Sequence, residues 1–313
     1  MDLVFFGTAD FGIPALEALD QEHEIKTVVT QPDRPAGRGL SQRQSPIKRK
    51  ARELSLSTFQ PEDVNSPGAV EKIQSIQPAA YVVAAYGQII SPQLLQIPRW
   101  PLNIHGSLLP KYRGAAPVNW AIINGEEETG VTTMVMDEGM DTGPILLQRS
   151  VSIENDQTAG KLHDHLAALG AELILETLVG LTEGKLEPRP QEGESSFAPK
   201  LSTEDGQVDW EQSSRRVHDQ IRGMNPWPGA FTYFDGRKVK IHRSRDQGEL
   251  AANHRGAEPG EVIGFSDQGV TVLCGQLSAV ELLLLQPSSR SSMTGKEFVN
   301  GFHLEVGDQF YSE

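Results

Sequence analysis

Four short strand-like runs, separated by segments of helical length, constrain this chain more than any other feature. Leu3 to Phe6, Ile25 to Thr30, Ala79 to Ala84 and Leu102 to Ile104 are the runs. Leu3 to Phe6 is apolar without a break, as expected of a strand buried on both faces in a parallel sheet, and the other three read as further strands. Pro14 opens a helix between the first two, at a favoured first helical position. Ile47 to Leu54 forms a second helix, followed by a short strand near Thr58-Phe59-Gln60. Ser66 as N-cap with Pro67 opens a third helix, which runs to Gln77. Strands alternating with helices predict an α/β domain, Rossmann-like, with a mostly parallel sheet covered on both faces. Ligands of such sheets sit at the carboxyl ends of the strands.

The pattern then changes. After a helix over Val118 to Ile123 come strands over Val131 to Met136 and Ile145 to Ile153, then a long amphipathic helix from Thr158 to Leu181. Lys185 to Gly206 carries Pro188, Pro190 and Pro199 among Ser, Glu and Gly, and reads as a linker. Beyond a short helix over Ser213 to Met224, strands over 231–234, 239–242, 261–265, 270–273 and 280–285 are spaced like hairpins. A small C-terminal OB-like β-barrel follows from that spacing. The expected division is residues 1–184, a linker over 185–206, and residues 207–313.

Composition narrows the class. A formal net charge of −14 argues against a uniformly basic nucleic-acid coat. One cysteine, Cys274, gives no disulfide framework and no thiolate metal cluster. No signal segment follows Met1 and no apolar run approaches the ~20 residues that span a bilayer, so a soluble, cytoplasmic chain is expected, without a membrane partner. A monomer is also expected. Gly7-Thr8-Ala9-Asp10-Phe11-Gly12 lacks the middle glycine of the dinucleotide fingerprint, and Thr30-Gln31 replace the acidic residue that would end the second strand. A nicotinamide cofactor is not expected. Nor is a metal, since His163 and His165 lie two apart on a helix with no third ligand.

Two stretches carry chemistry. Asn103-Ile104-His105-Gly106-Ser107-Leu108-Leu109-Pro110 holds an amide, an imidazole and a hydroxyl at alternate positions, which on an extended strand share one side. Asp137-Glu138-Gly139-Met140-Asp141-Thr142-Gly143 is a Gly-rich loop that offers carboxylates. An amide, an imidazole and a carboxylate together are equipment for moving a carbonyl group. Taken singly, Ser107 reads equally well as a turn residue, and Asp141 as the aspartate of an Asp-Thr-Gly turn. Separately, Arg34, Arg38, Arg43, Lys48, Arg49, Lys50 and Arg52 follow one another with no acidic residue between them, in a chain that is acidic overall. That stretch reads either as a solvated patch or as a loop that grips a phosphate backbone.

The run over 103–110, followed by 137–143, resembles the signature of the folate-dependent formyltransferases. Gln31-Pro32-Asp33-Arg34-Pro35-Ala36-Gly37-Arg38-Gly39 and Asn225-Pro226-Trp227-Pro228-Gly229-Ala230 are similar to the branch that acts on aminoacylated tRNA. The resemblance implies transfer of a formyl group from 10-formyltetrahydrofolate to the α-amine of initiator methionyl-tRNA. It implies catalysis by Asn103, His105 and Asp141. For the folate co-substrate it implies Tyr86, Gly87, Gln88 and Ile89, with Ser107, Leu108, Leu109, Pro110, Asp137 and Gly139. For tRNA it implies Arg34, Arg38, Arg43, Lys48, Lys200, Arg237 and Lys238. Rival readings are a formyltransferase or hydrolase acting on a sugar amine or water, and a non-catalytic RNA-binding protein that keeps the fold.

Overall fold

The computed structural model describes residues 1–36, 41–250 and 256–312. They gather into two compact units. The first holds Met1–Gly114, Thr129–Val151 and His163–Ala198; the second holds Ala115–Glu128, Ser152–Leu162 and Pro199–Glu313.

In chain order the first half runs β1 (Asp2–Gly7), α1 (Ile13–Glu22), β2 (Glu24–Val29), β3 (Arg34–Ala36), β4 (Ser41–Arg43), α2 (Pro46–Glu53) and β5 (Thr58–Phe59). There follow α3 (Pro67–Ile76), β6 (Ala80–Ala84), α4 (Pro92–Leu95), β7 (Trp100–His105), β8 (Arg113–Gly114), α5 (Pro117–Ile123), β9 (Glu128–Val135), β10 (Ile145–Ser152) and α6 (Ala159–Thr182). Seven strands form one sheet in the order β10-β9-β7-β6-β1-β2-β5. β1 pairs in parallel with β2 and β6, and β6 with β7, whereas β9 runs antiparallel to β7. The sheet is thus mostly parallel, as the strand-like runs require. Leu3, Val4, Phe5 and Phe6 are fully buried, and burying each such side chain contributes roughly 1.5–3 kcal/mol.

Local signals explain several helix starts. Ser45 caps α2, its hydroxyl accepting from the Lys48 N–H at 3.0 Å, with Pro46 at the first turn. Ser66 holds the N-cap position of α3, but its hydroxyl donates to the Asp63 carbonyl at 2.8 Å, so the expected side-chain cap is not made. The helix α6 is long and apolar enough to cross a membrane by length and composition, and half of its most apolar window is buried in the protein.

The second unit carries α7 (Ser214–Gly223), β12 (Ala230–Phe234), β13 (Arg237–Glu249), β14 (Val262–Phe265), β15 (Val270–Cys274), β16 (Ser278–Pro287), β17 (Met293–Thr294) and α8 (Gly295–Phe302), after the short strand β11 (Phe197–Ala198) of the first unit. Its sheet is antiparallel, in the order β12-β13-β16-β15-β14, with β17 on β16. Both edges are then met by one segment near the chain end. Gln309 bridges Glu261 beside β14, and Tyr311 bridges Tyr233 of β12. An edge strand left open is a template for unwanted pairing; here the two edges are joined, consistent with the expected OB-like barrel.

The expected division of the chain at 184 and 207 differs from this packing in two ways. The stretches 115–128 and 152–162 lie in the second unit. Buried Arg222 explains the latter: its Nη1 donates to the carbonyls of Glu154 and Gln157 at 3.1 and 3.2 Å, while its Nε pairs with Asp219 at 2.7 Å. Conversely, 185–198 is not free chain but packs in the first unit, where Arg189 and Ile145 exchange backbone hydrogen bonds and β11 pairs with β8.

Candidate active site

β7 delivers the site. Asn103 and His105 lie two residues apart on it and so share a face of the sheet. Between them Ile104 faces the other way, toward Gly170 of α6. Asn103 is 9% exposed, and its amide has no hydrogen-bond partner among the described residues. An amide with no protein partner among them and a residual 9% exposure is available to a ligand that reaches it.

His105 is oriented from both sides. Its Nε2 lies 2.9 Å from the Tyr112 carbonyl, which can only accept, so the ring donates there. Nδ1 faces the Asp141 carboxylate at 3.7 Å, close enough to feel its charge and too far for a hydrogen bond. The same carboxylate oxygen accepts from the Gly114 N–H at 2.8 Å. The imidazole and carboxylate expected from two separate stretches are therefore brought together.

Asp141 sits in a turn at φ +54, a left-handed conformation that aspartate tolerates better than most residues. The loop is closed around it. Asp137 accepts from the Gly139 N–H at 3.1 Å and the Thr142 hydroxyl at 2.7 Å. A side chain at Gly143 would run into the Val135 carbonyl, so only glycine lets the loop return against β9. One carboxylate oxygen of Asp137, Oδ1, thus shapes the loop.

The other residues expected at the co-substrate lie as follows. The Ser107 hydroxyl donates to the Lys111 carbonyl at 2.6 Å and is fully buried, so it closes the turn after β7 rather than facing a pocket. Leu109 packs with Met134 and Ile145 in the core, and Leu108 lies against Gly130. Pro110 accepts from the Ser196 N–H through its carbonyl. Tyr86 is a core residue, packed edge-on against Phe6, and burial pushes its phenol well above the ordinary range. Its carbonyl gathers the Thr8 hydroxyl at 2.7 Å and the Gln31 amide at 3.0 Å. Gly87, at φ +84, leaves room for that Gln31 amide, which a Cβ would approach to 2.5 Å. Gln88 braces its neighbours, accepting from the Val64 N–H at 3.0 Å. Ile89 alone of these presents a large apolar side chain, 78% exposed.

Among the cations, Arg34 is exposed and reaches Gln31 at 3.2 Å. Arg38 and the side chain of Arg43 lie outside the described residues. Lys48 is not a free cation: it pairs with Asp33 at 2.6 Å, with 17% of each side chain exposed. Gln60 also donates to Asp33 at 2.8 Å, and these two donors hold the Asp33 carboxyl below the usual range. Lys50 is likewise spent on Glu17 and Glu53. In the second unit Lys200 and Arg237 are exposed, whereas Lys238 lies over the Phe231 ring, 3.2 Å from its centroid.

Residues that the sequence did not single out do much of the holding: Tyr112, Arg113, Gly114, Gln191 and Ser196. Their signal was weak, because several act through backbone groups and two sit in a Pro- and Glu-rich stretch.

Two family models match the chain: formyl transferase over residues 1–178 and formyl transferase, C-terminal domain, over residues 200–303. The methionyl-tRNA formyltransferase of Caldanaerobacter subterraneus subsp. tengcongensis is 44% identical over 98% of this chain and 99% of its own. The chain belongs to the methionyl-tRNA formyltransferase family. The Geobacter sulfurreducens member is also 44% identical, over 97% of this chain and 95% of its own. Among solved structures, an N-formyltransferase from Helicobacter canadensis, in complex with folinic acid and dTDP-3-aminofucose, superposes with a TM-score of 0.69 at 18% identity, covering 90% of this chain and 98% of that one. At that identity the likeness shows the shared fold.

Proposed function

We propose that the protein transfers a formyl group from 10-formyltetrahydrofolate to the α-amine of initiator methionyl-tRNA. The observation that carries this reading is the His105–Asp141 pair beside the unpartnered Asn103 amide. An α-amine titrates at roughly 7.7–8.0, so near neutrality a useful fraction is already the free nucleophile and no covalent enzyme intermediate is needed.

The amine nitrogen bonds to the formyl carbon, and the carbonyl pair moves onto oxygen. Asn103 donates to that oxyanion through its amide, and His105 in its protonated form through Nδ1, because its Nε2–H is already given to the Tyr112 carbonyl. Asp141 takes the proton released by the attacking amine, directly or through water. The bond to N10 then breaks, the oxygen pair re-forms the carbonyl, and the same proton is returned to N10. Exposed Ile89 suits the aromatic body of a folate. Arg34, Arg38 and Arg43 in the first unit, and separately Lys200 and Arg237 in the second, are the cations offered to tRNA phosphates.

The test is incubation with 10-formyltetrahydrofolate and charged initiator tRNA, read by the mass of the aminoacyl product, with a free sugar amine as the competing acceptor. Formylated methionyl-tRNA is expected; formylated sugar, or no product, ends the proposal. Asn103→Ala and His105→Ala should each lower kcat by about 100- to 1,000-fold, the usual cost of one oxyanion donor, and Asp141→Ala by about 100- to 10,000-fold, as for a general base, all with little change in tRNA affinity. Near-wild-type turnover in any one removes that residue from the mechanism.

A further inference from the structure

We infer that Gln191 is a positioning residue for formyl transfer, the hub of an arm over residues 189–198 that assembles the site from outside it. The inference rests on the reading of Asp141 and His105 as catalytic.

Every hydrogen-bonding group of the Gln191 amide is used. Its Nε2 donates to the carbonyls of Asp141 and Gly143, each at 2.8 Å. Its Oε1 accepts from Arg113 twice, from Nε at 3.1 Å and from Nη2 at 2.6 Å. A primary amide has two N–H donors and one carbonyl, so the residue is saturated. The two carbonyls it holds flank the turn in which Asp141 adopts φ +54. Residues in that region cost energy to hold and persist only when their surroundings over-determine them. Here the determining side chain comes from fifty positions along the chain.

The rest of the arm reaches the other catalytic supports. The Ser196 hydroxyl accepts from the Tyr112 N–H at 2.9 Å, and Tyr112 supplies the carbonyl that orients His105. Ser196 also accepts from Arg113 N–H through its carbonyl at 2.9 Å. β11 pairs with β8, setting Ala198 against Gly114, whose N–H binds the Asp141 carboxylate. One short segment therefore fixes the backbone of Asp141, the partner of its carboxylate and the partner of His105. None of these contacts involves a group that a substrate would have to displace.

An amide is required at 191. A carboxylate would still accept from Arg113, yet it has no hydrogen to give the Asp141 and Gly143 carbonyls. Misplacing a reacting group by about 1 Å from a remote site costs on the order of 100-fold. Gln191→Ala and Gln191→Glu should therefore both lower kcat by about 100-fold, with KM for the folate and for charged tRNA close to wild type. Gln191→Glu keeps the Arg113 pairing and so guards against simple unfolding, which thermal melts of both variants check. Wild-type kcat in Gln191→Ala, recovery of kcat in Gln191→Glu, or an effect confined to KM would each overturn the assignment. A second readout needs no acceptor: Glu138 in the turn should be cut faster by a glutamate-specific protease in Gln191→Ala than in wild type, and equal rates would refute the clamp. An inactive wild type would instead strike at the proposed function and leave the protease result to judge Gln191.

Discussion

The basic stretch over 31–52 and the Pro-rich stretch over 185–198 invite opposite readings, and their structures exchange part of those roles. The basic one is conspicuous by charge, yet two of its lysines are spent internally, Lys48 on Asp33 and Lys50 on Glu17 and Glu53. The Pro-rich one has the composition of connecting chain, yet its one glutamine secures the turn that carries Asp141. Charge in a sequence marks what a segment offers to solvent only after its internal ion pairs are subtracted. A neutral amide marks nothing until its partners are known, because its donors and acceptor serve loop and catalyst alike.

The widest separation between the two stretches should appear in turnover. Arg113→Ala removes both bonds to the Gln191 oxygen and should lower kcat by on the order of 10-fold or more through misplacement of the acidic turn. Arg34→Ala, in the basic stretch, should leave kcat at saturating tRNA unchanged. Equal losses in the two variants would erase the distinction. Next in size is the response to salt. A side chain that meets one phosphate contributes about one unit to the slope of log affinity against log salt, so Arg34→Ala and Arg38→Ala should each flatten that slope by about one, measured by tRNA binding across a salt series. Gln191→Ala should leave it unaltered. A flat salt profile in the wild type would show that the basic stretch is merely solvated.

Legibility followed the physical character of each feature. Continuous apolar runs such as Leu3 to Phe6 and Ala79 to Ala84 exposed the parallel sheet, since burial on both faces leaves that trace directly in the residues. Asn103 and His105 were readable because alternation on a strand is a local rule. The approach of His105 to Asp141, expected from chemistry and resemblance, is seen at 3.7 Å. Ser107 obeyed the same alternation in sequence but lies beyond the end of β7, where a turn redirects its hydroxyl to Lys111. Tyr86 lies in the core, and its backbone carbonyl rather than its ring serves the loop. Gln191, Ser196 and the Gly114 N–H were not legible, because hydrogen bonds between distant backbone and neutral side-chain groups leave no periodicity or charge signature.

A smaller effect sharpens the comparison from the other side. Lys48→Ala breaks a partly buried pair whose worth is about 1 kcal/mol or less. In a unit of this size that lowers the melting midpoint by roughly 2–4 °C. The salt slope of tRNA binding should not move, since this ammonium faces Asp33 rather than solvent. A slope reduced by a full unit would return Lys48 to the phosphate-gripping set.

The smallest expected effect is the pH dependence of that same pair. Lys48, and then Gln60, holds the Asp33 carboxyl below its ordinary value in the folded protein. A carboxyl depressed in this way binds its proton more readily when unfolded, so its contribution to stability is complete above the unfolded value of about 3.9. That contribution is lost as the pH falls through the lower, folded value. Wild type and Lys48→Ala should therefore differ in melting midpoint by a constant amount from neutrality down to about pH 5, and the two should converge in stronger acid. A difference that instead stays constant into stronger acid would mean that Lys48 stabilises the base of the basic stretch by packing its alkyl chain, with its charge free after all.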